Sequence, residues 1–288
     1  IYCASHTIFG YIIRKRSPKN VVDEMELLVK KYGVEGFWFT DDTLTFHPDY
    51  AIGLCQEILD RGLKIKWACQ ARVNNVREDL LKMLKKAGCL QVDYGVESGS
   101  QKVLDTLKKG IQVEEIKKAF EMTKKAGLRA GATFLIGNPG ETEEDIALSE
   151  KLADEIDADY ITFYMLTPYP GTELWDMAVE NKWMTETDLR KFMHSRQYRD
   201  IPVMKIALDP SWIRDRATEL NKKYFKSLTK QLLKNPKFLY DMASFSLSNP
   251  SVLISAAKNF FKTRSIEDSG RIILEQQTLN HNNVKAIS

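Results

Sequence analysis

Apolar residues in the first 180 or so positions fall into two rhythms that take turns. One has the period of a helix half-buried on its neighbours: Val21, Val22, Met25, Leu28 and Val29 share one face, and Leu80, Leu81, Leu84 and Ala87 share another. The other is a short apolar run of strand length, at 35–40, 65–71, 90–95, 130–136 and 160–166. Four of these runs follow the same punctuation, basic residues and then a glycine: Lys30-Lys31-Tyr32-Gly33, Asp60-Arg61-Gly62, Lys85-Lys86-Ala87-Gly88 and Lys124-Lys125-Ala126-Gly127. The basic side chains suit the negative end of a helix dipole, and the glycine suits the left-handed turn that ends the helix. The fifth run follows a helix predicted over 143–157. Ser17-Pro18 reads as a helix start, with a capping serine and proline in the first turn. Strands alternating with helices at this spacing make a parallel sheet wrapped by helices. A further strand is expected before Cys3, giving six. The predicted fold is α/β: an open, six-stranded (β/α)6 partial TIM-type barrel whose first strand is missing.

The rhythm changes after about residue 185. Pro202 and Pro210 punctuate a connector, and a short helix is expected over 188–193. Trp212, Ile213, Ala217, Leu220, Tyr224, Leu228 and Leu232 then trace one long amphipathic helix, and two more helical stretches follow near 237–247 and 251–262. The expected division is therefore a barrel core over 1–185 and a helical C-terminal extension over 186–288. The last two stretches combine apolar residues such as Phe238, Phe245, Phe260 and Phe261 with Lys234, Lys237, Lys258, Lys262 and Arg264. Packing on the barrel or on another domain is the favoured reading; peripheral contact with a membrane surface is the sharper one.

Composition narrows the function. The 288 residues carry 42 basic and 39 acidic side chains, a net charge of +3, with a mean hydropathy of -0.34. Nothing in that balance marks a nucleic-acid binder. No apolar run is long enough to span a membrane and no signal peptide opens the chain. The four cysteines, Cys3, Cys55, Cys69 and Cys89, show no paired spacing, which points to a reducing cytoplasm rather than a disulfide framework. The chain opens Ile1-Tyr2-Cys3 without a methionine and reads as a fragment.

Candidate chemistry gathers where the strands end, the place where parallel α/β barrels converge their loops on one mouth. The ends read Thr40-Asp41-Asp42, Gln70-Ala71-Arg72, Tyr94-Gly95-Val96-Glu97-Ser98-Gly99, Gly137-Asn138-Pro139-Gly140-Glu141 and Thr167-Pro168-Tyr169-Pro170-Gly171. Each alone could be an ordinary turn or helix cap. Five polar ends on one predicted sheet favour a shared site. Cys55 falls on an apolar helix face with Ile52, Ile58 and Leu59, and Cys69 and Cys89 lie in or beside strands, so these three are expected in the core.

Four motifs in this order, Phe37-Trp38-Phe39-Thr40-Asp41-Asp42, the Gly95–Ser100 run, Phe134 to Thr142, and Thr167 to Thr172, resemble the radical S-adenosylmethionine (SAM) superfamily. The likeness covers about residues 1 to 180 and is closest to the subgroup with a cobalamin-binding domain ahead of the barrel. It implies a 4Fe–4S cluster held by Cys-x-x-x-Cys-x-x-Cys, with Cys3 as the third ligand and the other two upstream of Ile1. It implies further that SAM binds the iron left without a thiolate and is cleaved to a 5′-deoxyadenosyl radical. By the same likeness Asp41 and Asp42 would meet the amino group of SAM, and Glu97 and Ser98 its ribose or methionine portion. Arg72 would pair with the carboxylate, Ile136, Gly137, Leu166 and Thr167 would flank adenine, and Tyr2 is a further adenine contact. The implied activity is cobalamin-dependent methyl transfer or oxidative cyclisation on an unactivated carbon of a lipid-like or tetrapyrrole substrate. An electron donor such as flavodoxin or ferredoxin would serve it. The alternatives are a methylthiotransferase acting on RNA, against which stands the absence of a C-terminal RNA-binding barrel, and a barrel kept as a binding scaffold.

Overall fold

The computed structural model describes residues 1–185, Asp188 and 204–233, with side chains as far as residue 225. The expected stretches at 237–247 and 251–262, with their membrane reading, lie outside the described residues, as does the short helix at 188–193 apart from Asp188. Among the described residues no helix is long and apolar enough to cross a membrane.

After a single helical turn, α1 (Ser5–Phe9), the cassettes unfold in order. They are α2 (Pro18–Tyr32), β1 (Gly36–Trp38), α3 (Pro48–Asp60), β2 (Lys66–Ala71), α4 (Glu78–Lys86) and β3 (Cys89–Glu97). There follow α5 (Gln101–Thr106), α6 (Val113–Lys125), β4 (Arg129–Ile136), α7 (Glu143–Glu155), β5 (Tyr160–Met165), α8 (Glu173–Glu180) and α9 (Pro210–Leu233). The five strands form one sheet in the order β1-β2-β3-β4-β5, every neighbouring pair parallel, curled into a half-barrel with its helices outside. The α/β expectation holds, with five strands among the described residues.

The local signals act as expected. Ser17 Oγ accepts the Asn20 N–H at 3.2 Å at the start of α2. Gly88, two residues past the end of α4, has φ +94°, and a side chain there would stand 2.2 Å from the Ile65 carbonyl. That glycine is needed for both its conformation and its close approach. Leu80, Leu81, Leu84 and Ala87 are all buried.

Alternation along the strands separates two faces. In β3, Val92, Tyr94 and Val96 are buried beneath the helices, with the Tyr94 hydroxyl 2.7 Å from Thr123 Oγ1 of α6 and its ring tilted on Phe120. Gln91, Asp93 and Gly95 then lie on the concave face, which is polar and only partly covered. Burial pushes the Asp93 carboxyl above its ordinary range. Cys55, Cys69 and Cys89 are fully buried, as expected of core residues.

The described chain divides into two compact units, Ile1–Val29 with the described part of Val34–Asn221, and Lys30–Gly33 with the described residues from Lys222 onward. In the first unit, Ile213, Ala217 and Leu220 of α9 are buried. Asn221 of the same helix reaches the outer edge of β5: its side chain accepts the Phe163 N–H at 2.8 Å and donates to the Phe163 carbonyl at 2.8 Å.

Candidate functional site

The N-terminal segment is laid across the carboxyl ends of the strands and pinned there by backbone bonds. Ile1 donates its amino group to the Leu107 carbonyl at 3.3 Å and accepts the Leu174 N–H at 2.9 Å, and Thr7 Oγ1 donates to the Gly171 carbonyl at 3.0 Å. Leu166 lies beneath it, 2% exposed, in an apolar cluster with Leu107, Leu174 and Ala178 against which Ile1 and Tyr2 pack. This arrangement brings Tyr2 to the end of β3.

There the strand departs from regular geometry. The register with β4 shifts between Gly95 and Glu97, and Glu97 takes φ +67°, a left-handed conformation that carboxylate residues seldom adopt. The Glu97 side chain is buried, and its Oε1 accepts the Tyr2 hydroxyl at 2.9 Å and the Lys109 ammonium at 2.6 Å. Lys109 also stands 3.3 Å from the Tyr2 oxygen, and the ion-paired side chains of Lys109 and Glu97 are 9% and 8% exposed. Burial, and then the Glu97 charge beside it, pushes the Tyr2 hydroxyl well above the ordinary tyrosine range, so Tyr2 acts as a donor. Arg72, at the end of β2, donates to the backbone carbonyl of Lys109. Gly95 makes room for the pair, since a side chain there would stand 2.6 Å from Glu97 Oε1 and 3.1 Å from Lys109 Nζ. The pair therefore lies over the concave face at the mouth of the half-barrel.

Three residues singled out from the sequence, Tyr2, Arg72 and Glu97, thus converge with Cys3 as the neighbour of Tyr2. Lys109 was missed. It belongs to a Lys108-Lys109-Gly110 turn between α5 and α6 that reads in sequence as a solvated basic pair, and only the fold carries it to Glu97.

The remaining expectations fare differently. Ser98 is fully buried, 3.0 Å from Ser149 Oγ of α7, and accepts the Ser100 N–H at 3.1 Å. Its hydroxyl is committed to joining β3 to α7, alongside Ser100, which donates to Asp145 at 2.6 Å. Against the upward push of burial, bonds from Lys102, Ser100 and Thr142 hold the Asp145 carboxyl down at about 2. Leu166 is a core residue beneath Ile1 and Tyr2. Thr167 donates to the Met165 carbonyl at 3.3 Å and is largely buried. Ile136 has no exposed surface, and Gly137 turns at φ +83° and donates its N–H to Glu141 Oε2 at 2.6 Å. Glu141 also accepts the Asn138 N–H and side-chain amide, yet burial dominates and raises its carboxyl to about 7. Asp41 and Asp42 are exposed at the end of β1 and take no part in the Tyr2–Glu97–Lys109 constellation. Asp41 lines a separate cavity of about 450 Å³ with Trp38, Phe46, His47 and Tyr50.

The family model described as the radical SAM superfamily matches residues 1–153. The chain belongs to the radical SAM superfamily. An uncharacterized methyltransferase of Pyrococcus horikoshii is 38% identical over 207 residues, 72% of this chain and 44% of that protein. An anaerobic magnesium-protoporphyrin IX monomethyl ester cyclase of Rubrivivax gelatinosus is 30% identical over 265 residues, covering 90% of this chain and 45% of its own length. Among solved structures, the radical SAM methyltransferase TsrM of Kitasatospora setae, with cobalamin and a [4Fe-4S] cluster bound, shares the fold. Its TM-score is 0.55 at 24% identity, over 58% of this chain and 32% of that one. The chain spans a little under half the length of the two curated relatives.

The superfamily implies a 4Fe–4S cluster and SAM. Cys3 fits a ligand of that cluster, being the one exposed thiol, at the mouth, while Cys55, Cys69 and Cys89 are sealed in the core. No group of three His, Cys, Asp or Glu side chains among the described residues is arranged to hold a metal.

Proposed function

We propose that this chain is the catalytic half-barrel of a radical SAM enzyme whose mouth binds SAM beside a cluster ligated in part by Cys3. The observation that carries this reading is the convergence of Tyr2, Arg72 and Glu97, from three separate stretches of chain, next to the only exposed cysteine. When bound, the cluster supplies the electron for reductive cleavage of SAM. The protein's own part is to bind and orient. Glu97 is an anionic acceptor for the ammonium or hydroxyl groups of SAM, and Arg72 is a guanidinium placed for its carboxylate. Asp41 and Asp42 stand ready at the neighbouring strand end as further carboxylates for the amino group. Ile136 and Gly137 close the floor at the fourth strand end, and Thr167 stands at the fifth.

The relatives favour methyl transfer or oxidative cyclisation as the reaction class. Dependence on cobalamin, supplied by a domain outside this chain, is supported by the likeness to cobalamin-binding radical SAM proteins. A lipid-like or tetrapyrrole substrate, a flavodoxin- or ferredoxin-type electron donor and a cytoplasmic location complete the proposal.

The test uses the protein that carries this chain, purified without oxygen. It should hold about four irons per cluster. Cys3→Ala should abolish iron content, visible absorption and SAM cleavage together, whereas Cys55→Ala should keep all three. Equal iron in the Cys3→Ala variant and the unaltered protein would overturn the assignment.

A further inference from the structure

The lumen of a parallel barrel is ordinarily filled by branched apolar side chains that interlock in layers. The concave face of this half-barrel is built otherwise. The strand register aligns Gln70, Asp93, Gly131 and Tyr160 in one row from β2 to β5, with Thr133 and Thr162 in the row above. Asp93, at the middle of the sheet, is half-buried, and its Oδ1 accepts the Gln91 side-chain amide at 2.8 Å. Its Oδ2 takes no hydrogen bond from the described residues and is not sealed from solvent. Burial is what raises this carboxyl, and the Gln91 bond and the charge of Arg129 offset it only in part. The next strand makes room for the acid, since a side chain at Gly131 would stand 2.0 Å from Asp93 Oδ1. A half-buried acid that needs a glycine beside it and bonds through one oxygen alone is a poor choice for stability.

Aromatic surface flanks this row. Trp38 of β1, aligned with Ala68 of β2, is 50% exposed, and Tyr160 of β5 is 40% exposed. The face is therefore a shallow trough with small residues on its floor, aromatic rings at its sides and an acid at its centre. Glu97 and Lys109 lie over Gly95, the next inward position along β3, so Asp93 stands one step below the mouth.

We propose that this trough is the substrate site and that Asp93 recognises the cationic amine of a substrate with an apolar body. An ammonium on Oδ2 completes the bonding of Asp93 and offsets the burial of its charge, whereas a carboxylate there meets like charge. Trp38 and Tyr160 take the apolar body. The proposal rests on the SAM reading above, which puts the reacting centre at the mouth. Asp93 lies about 7 Å further down the strand, so it grips the substrate away from the carbon that reacts.

The experiment is equilibrium dialysis of 4-phenylbutylamine and of 4-phenylbutanoate against the protein that carries this chain, with thermal melting as the check on folding. The amine should bind about tenfold or more tightly than the acid, the value of a hydrogen bond between charged groups. Asp93→Asn keeps the shape and the acceptor for Gln91, and it should erase that preference by weakening the amine alone. Should Asp93→Asn fail to fold, Asp93→Ser carries the same comparison. Labelled SAM, dialysed against the same preparations, should bind the Asn variant as it binds the unaltered protein. Equal binding of amine and acid by the unaltered protein, full amine affinity in Asp93→Asn, or a parallel loss of SAM would overturn the inference. An amine preference intact in an unaltered protein that binds no SAM would instead remove the SAM reading and leave Asp93 as an amine site.

Discussion

Replacing Gly95 by alanine places a methyl carbon 2.6 Å from Glu97 Oε1 and 3.1 Å from Lys109 Nζ, with no backbone atom among its close neighbours. To reach ordinary contact at 3.4 Å, the carboxylate oxygen has to retreat by about 0.8 Å. Oε1 carries both the Tyr2 and Lys109 bonds, so a displacement of that size breaks at least one. A hydrogen bond to a charged group is worth about 1.5–3 kcal/mol, and alanine returns about 0.4–1 kcal/mol by restricting the unfolded chain. The net cost is about 1–2 kcal/mol, a fall in Tm of only a few degrees for a domain of this size. SAM affinity, which depends on where Glu97 points, should fall about tenfold or more. Thermal melting and SAM dialysis on the same preparation separate the two effects. A Gly95→Ala protein with full SAM affinity would refute the placement of Glu97 and Lys109 over the concave face.

Two further outcomes test the frame around the site. Gly99→Ala meets backbone instead of flexible side chains, with the Leu148 carbonyl oxygen at 2.3 Å and Ser149 Cα at 2.8 Å, so β3 and α7 must separate. Urea denaturation should show a loss of about 3 kcal/mol or more, and a loss under 1 kcal/mol would contradict the joint described here. Glu141, with its carboxyl raised to about 7, binds its proton more tightly folded than unfolded. Its contribution to stability is full below the unfolded value near pH 4.5 and is lost as pH rises through about 7, on the order of 3 kcal/mol in all. Between pH 5 and pH 8 the unaltered chain should therefore lose more stability than Glu141→Gln, and parallel profiles would show that this carboxyl is not raised.

The strands and their order were legible because each cassette repeats one local message, an amphipathic helix, basic residues, a glycine and an apolar run, and the sheet simply follows chain order. The site was legible only in part. Strand ends mark which loops reach the mouth, but not which side chains turn inward. The bulge at Gly95–Glu97 directs Glu97 over the concave face while Ser98, one residue on, turns outward into α7, and no periodicity foretells that reversal. Lys109 was hidden for a different reason. A lysine in a basic turn is indistinguishable from a solvated one until a buried carboxylate some twelve residues back is placed beside it. Leu166 continued a strand pattern and proved to be floor for the N-terminal segment, a long-range contact that local pattern does not encode.

The side-chain amide of Asn221 on Phe163 has the shape of one more peptide group added to β5. It occupies the middle of that margin, so the amide and carbonyl of Phe163 that a further strand would use on the β5 side are already taken. Exposed strand rims are where chains polymerise, and a sheet with two open rims can stack head to tail without end. With Phe163 already paired, a strand approaching the β5 side has to displace Asn221 before it can add there. The clamp therefore guards that margin against strand-mediated association.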